Sequence, residues 1–124
     1  MIRSVLAIVI ALVACACSKP AAPEATPEAV AAKYFTALGT GDCAGITATS
    51  GGDIAKDIAT SGCAASLNEA KEHKLIFVAT ENLRVDGRDP NARLLDVKLQ
   101  SDGKEKRVIS RLERIGDAWK VVTL

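Results

Sequence analysis

Aromatic side chains are scarce in this sequence: two phenylalanines, one tyrosine and one tryptophan make up 3% of its 124 residues. A core built from such a chain rests on aliphatic packing. Histidine is scarcer still, with His73 alone. Of the four cysteines, Cys43 and Cys63 stand twenty residues apart, with no histidine or second cysteine pair beside either. No zinc-ligand spacing arises, and no metal or cofactor is expected. Clustered positive charge is also missing. Sixteen basic residues face fifteen acidic ones, interleaved as in Lys104-Glu105-Lys106-Arg107 and Arg111-Leu112-Glu113-Arg114. A phosphate-binding surface needs clustered Lys and Arg, so nucleic acid is not an expected partner. Finally, no apolar run is long enough to span a bilayer. The stretch Val5 to Ala14 has ten residues and as a helix rises about 15 Å, half of a ~30 Å hydrocarbon core.

That short run, preceded by Met1-Ile2-Arg3-Ser4, has the build of a secretory leader. Its end, Leu12-Val13-Ala14-Cys15, resembles the lipobox of bacterial lipoprotein signal peptides. The resemblance implies that residues 1–14 are removed and that Cys15 carries the lipid. Cys17, in Ala14-Cys15-Ala16-Cys17, is a competing site, but no leucine stands at the matching place before it. An ordinary signal peptide with a chance cysteine is the remaining alternative. Ala16, following the lipid site, is not the aspartate that resembles an inner-membrane retention signal in enteric bacteria, so the outer membrane is favoured and the domain faces the periplasm. Each buried methylene contributes ~0.8 kcal/mol, so two or more acyl chains anchor stably. Residues 15–26 carry prolines and no large apolar side chain, and read as a lipidated end followed by a flexible Pro/Ala linker.

Residues 27–124 form a single expected domain. Thr26-Pro27-Glu28 combines an N-cap, a proline at the first helical position and an early carboxylate. Val30, Tyr34 and Leu38, with Phe35 beside them, make an apolar stripe that Gly39 is expected to end. Asp42 offers a cap for a short helix through Cys43 and Ile46, and Asp53 for another through Ile54 and Ile58. The run from Cys63 to His73 has the pattern of a surface helix, with Leu67 and Ala70 inward. The period then changes. Residues 75–79, 94–99, 108–112 and 119–122 are β-rich, with turn chemistry at Asp86-Gly87, Asp102-Gly103 and Gly116-Asp117. Helices followed by an antiparallel meander predict an α+β fold, with N-terminal helices packed on a curved sheet of about four strands.

The opening helix with Tyr34-Phe35, its exit Leu38-Gly39-Thr40-Gly41-Asp42 and the closing Ile115-Gly116-Asp117-Ala118-Trp119-Lys120-Val121 resemble the nuclear-transport-factor-two-like, or cystatin-like cone, superfamily, and in particular its small bacterial lipoproteins. The resemblance implies a cone whose open end takes a small apolar ligand. It gives Tyr34, Phe35, Phe77, Leu95, Val97 and Trp119 as candidate lining, and a homodimer through sheet faces.

Catalysis has little support in the residues. Period-two alternation places Asp96 with Leu94 and Lys98, on the side away from Leu95 and Val97. Ser110 falls with Val108 and Leu112 but has no base beside it. His73 reads as an exposed residue at a helix end. No catalytic residue is assigned. Cys43 and Cys63 are expected to form a disulfide in an oxidising compartment, closing a loop worth about 3 kcal/mol; two buried free thiols are the other reading. The expected function is a non-catalytic envelope lipoprotein that binds a small apolar molecule or a partner protein. One alternative docks an envelope protein on an outer sheet face bearing Arg93, Lys98, Lys106 and Glu113. Another is a cone-type isomerase or dehydratase with Asp96 as base, which requires that carboxyl to be buried and its pKa raised.

Overall fold

The computed structural model describes residues 25–124. The readings that fall on residues 1–24, including Cys15 and Cys17, lie outside the described residues.

Helix α1, Pro27–Thr40, starts as its sequence dictates. Thr26 is extended, its Oγ1 accepts the Ala29 N–H at 3.2 Å, and Pro27 fills a position where no N–H is needed. Val30, Ala31, Tyr34, Phe35, Ala37 and Leu38 are buried. Gly39 does not end the helix. The chain stays helical through Thr40, and Gly41, at φ 78°, is the left-handed cap whose N–H donates to the Ala37 carbonyl. What Gly39 provides is closeness: a Cβ there would sit 2.6 Å from the Leu75 carbonyl oxygen.

Helix α2, Cys43–Thr49, is capped by Asp42, whose Oδ1 accepts the Gly45 N–H at 3.0 Å. Helix α3, Gly52–Ser61, takes Gly51 as its cap and has Asp53 inside its first turn. Asp53 is thus not the cap. The Gly51 N–H bonds the Val121 carbonyl at 2.9 Å, which fixes the chain two residues before Asp53 and sets where the helix begins. Helix α4, Ala64–Glu72, lies between Cys63 and His73. No residue of α3 is fully buried, and of α4 only Ala70 is.

Four strands follow: β1 Ile76–Asp86, β2 Asp89–Ser101, β3 Lys104–Ile115 and β4 Ala118–Thr123. They form an open antiparallel sheet in the order β1-β2-β3-β4. The β2–β3 turn puts Asp102 at φ 54° and Gly103 at φ 77°, the two positive values a type I′ hairpin requires. The architecture of the described residues is therefore α+β, with four helices and a four-stranded sheet.

The strands run further than their apolar stretches. On the face turned away from α1, charged side chains pair across strands: Lys98 Nζ meets Glu81 at 3.1 Å and Glu105 at 3.3 Å, and Arg107 meets Glu81 at 3.4 Å. These cross-strand pairs extend the ladder over residues that carry no apolar signal. The other face carries the core. Leu95, Val97, Leu112 and Val121 are fully buried there beneath Phe35 and Ile46. Each such leucine contributes about 1.5–3 kcal/mol by leaving water. α1 packs against α2 and, on the sheet, chiefly against β1 and β4.

Candidate functional site

The Cys43–Cys63 disulfide is formed, with the Cα atoms 5.7 Å apart. It joins the first residue of α2 to the N-cap of α4. A cleft of about 200 Å³ opens beside α4. Its floor comes from Tyr34, Phe35 and Leu38 of α1, Ala70 of α4, Leu75, and Leu99 and Val108 of the sheet. Its rim is polar, with Ser66, Glu69 and His73 on α4 and Ser101 and Lys106 on the β2–β3 hairpin. Register explains the last of these: Leu99 faces Lys106, so Lys106 shares the helix-covered face. Arg93, paired with Leu112, is on that face as well. Neither projects from the outer face, where Lys98 and Glu113 do.

Tyr34 and Phe35 meet edge to face, with ring centroids 5.1 Å apart. Burial pushes the Tyr34 pKa up, which keeps the phenol protonated, a neutral hydrogen-bond donor. The Phe77 side chain belongs to a second, smaller recess with Thr36, Gly39 and Ile76. Leu95, Val97 and Trp119 do not line the cleft. The first two are sealed under α1 in the middle of the sheet, and Trp119 packs against the core with the Arg93 guanidinium 5.1 Å from its ring. The interior above the centre of the sheet is thus filled, and the open space lies at the Leu99 end. Leu38, Leu99 and Val108 were each readable as lining in principle. Leu38 continues the Tyr34 stripe by one turn, Leu99 continues the period-two pattern of Val97, and Val108 that of Leu112. Their position at the end of the sheet depends on where α1 crosses it, which periodicity does not encode.

His73 closes one corner. Its Nδ1 lies 3.0 Å from the Asp102 carboxylate, and its carbonyl accepts the Asp102 N–H at 2.6 Å. The Asp102 carboxylate holds the His73 pKa above 6.5. Lys74, at φ 50°, turns the chain into β1. The end of α4 is thereby tied to the β2–β3 turn.

Asp96 is on the outer face, its side chain 25% exposed, with Oδ1 3.0 Å from Arg84 Nη1. Hydrogen bonds from Arg84 and Asn82 hold its carboxyl below the usual range. A general base needs the opposite shift. Ser110 is fully buried in the core, and its Oγ has no hydrogen-bond partner. A further charged group sits at the β1–β2 turn: Arg111 is held by Asp86, Asp89 and Glu113. The Arg88 backbone N–H, then Arg111, keep the buried Asp86 carboxyl ionised to low pH. This group fastens the turn to β3. Among the described residues no set of three His, Cys, Asp or Glu side chains could hold a metal ion, and no helix is long and apolar enough to cross a membrane. No protein-family model, no curated protein and no solved structure matches the chain.

Proposed function

We propose that this chain is a lipid-anchored protein of the bacterial envelope, tethered through Cys15, that holds a small apolar ligand in the cleft between α1, α4 and the Leu99 end of the sheet. The cleft carries the reading: an apolar floor about 200 Å³ in extent under a polar rim. A dry cavity of about 150 Å³ accepts benzene, so this one fits a ring with a short chain, or an acyl stretch of about eight carbons. The leader and the Leu12-Val13-Ala14-Cys15 box supply the anchoring half, and the formed disulfide fits an oxidising compartment. The α+β order of elements supports the cone-shaped, nuclear-transport-factor-two-like kind of fold. Binding without chemistry is supported by Asp96, the one carboxyl weighed as a general base, whose pairing with Arg84 holds it ionised on the outer face.

A photoreactive octyl diazirine added to the membrane-purified protein tests the reading. Crosslinks are expected on peptides carrying Tyr34, Ala70 and Leu99, and Val108→Trp, which fills the cleft, should remove most of them. Labelling spread evenly over the surface, or unchanged in Val108→Trp, would overturn it.

A further inference from the structure

The wall of the cleft formed by α4 is thinly attached. Ala70 is its one buried residue, and among the other helices and strands it packs mainly on α1. It supplies the rim residues Ser66, Glu69 and His73. Its two ends are fastened by different chemistry: Cys63 to Cys43 at one end, and His73 to the backbone and carboxylate of Asp102 at the other. A short helix with so little buried surface opens locally at small cost once an end is released.

We infer that the Cys43–Cys63 disulfide is a reducible latch: a dithiol reductant of the envelope frees the Cys63 end of α4, opens the cleft and releases its ligand. The inference rests on the cleft being the binding site. The exchange balances without any further reactant. Cys43 is exposed and Cys63 is buried, so the reductant's first thiolate attacks the Cys43 sulfur. A mixed disulfide forms there, and Cys63 leaves as a thiolate at the N-terminus of α4, where unpaired N–H groups favour negative charge. The reductant's second thiolate attacks its own sulfur in that mixed disulfide. It closes the reductant's disulfide and leaves Cys43 as a thiolate. Two electrons pass to the protein, and the two protons lost by the dithiol protonate Cys43 and Cys63. On the far side, the His73–Asp102 tie remains as the hinge.

Hydrogen exchange on the full protein in detergent micelles, before and after dithiothreitol, reads the latch directly. Amides of residues 64–72 should exchange faster by about tenfold or more after reduction, well beyond any change in β2 and β3. Octyl diazirine crosslinks to α4 should fall several-fold while those to α1 persist. Cys43→Ser/Cys63→Ser should reproduce the reduced behaviour. Unchanged exchange in α4 overturns the latch. So does a parallel loss of protection in α4 and the sheet, which would make the bridge a staple of the whole domain. If the probe never labels the cleft in the oxidised protein, the ligand reading fails, while the exchange data still decide the latch.

Discussion

Replacing Gly39 by alanine puts two opposing effects on one atom. Gly39 is inside α1, with no left-handed backbone to protect. Alanine is better than glycine at such a position by about 1 kcal/mol. The added Cβ, however, would lie 2.6 Å from the Leu75 carbonyl oxygen, a backbone atom that no rotamer change can move aside. The neighbouring Leu75 N–H is bonded to the Ala70 carbonyl at 2.9 Å, so the α4–β1 connection must shift as a unit. Forcing a methyl into packed structure costs about 1–3 kcal/mol. The overlap outweighs the helical gain, leaving a net loss of about 1 kcal/mol and a fall in Tm of about 4–8 °C for a domain of this size. Urea and thermal unfolding followed by Trp119, the single tryptophan, measure it. Gly41→Ala, where nothing lies within 4 Å but φ is 78°, should lose about 1–2 kcal/mol through backbone strain alone. A Gly39→Ala protein more stable than wild type would refute the close approach of α1 to Leu75.

Three other outcomes follow from the same structure. Ser110→Ala removes a buried hydroxyl that has no partner, so stability in urea should hold or rise by about 1 kcal/mol, whereas a clear loss would mean that the hydroxyl is bonded. The His73 ring should titrate above 6.5 in NMR, and Asp102→Asn should bring it back toward that value. Because the folded pKa is the higher one, the stabilisation is complete below about pH 6.5 and fades as pH rises through the folded value; a wild-type difference that instead grows with pH would contradict the pairing. Cys43→Ser/Cys63→Ser should lower the global stability by well under the ~3 kcal/mol of full loop closure, because the element released is α4 alone; a loss of that full size would make the bridge a staple of the whole domain and contradict the latch.

Local chemistry made part of the fold legible. The cap at Thr26-Pro27, the Asp42 cap and the Asp102-Gly103 turn are each decided by residues adjacent in sequence, and the structure has all three. The Cys43–Cys63 pairing was legible by elimination. Strand lengths were not, because Glu81, Glu105 and Arg107 extend the sheet through pairs between strands that a single-strand pattern cannot display. Gly39 was misread as a stop for a related reason: its neighbour across space, Leu75, is remote in sequence. The cleft was half legible. Tyr34 and Phe35 belong to it, while Leu95, Val97 and Trp119 went to the core because α1 covers the middle of the sheet and leaves the Leu99 end uncovered.

Intact mass spectrometry of the protein purified from its membrane fraction, without reduction and then mapped to peptides, decides whether the domain is anchored through Cys15. The expected result is a chain beginning at Cys15 with diacylglycerol and acyl mass on that residue, and a crosslinked peptide joining Cys43 to Cys63. An unmodified Cys15, or a mature chain that begins beyond it, would contradict the envelope anchor on which the functional reading depends.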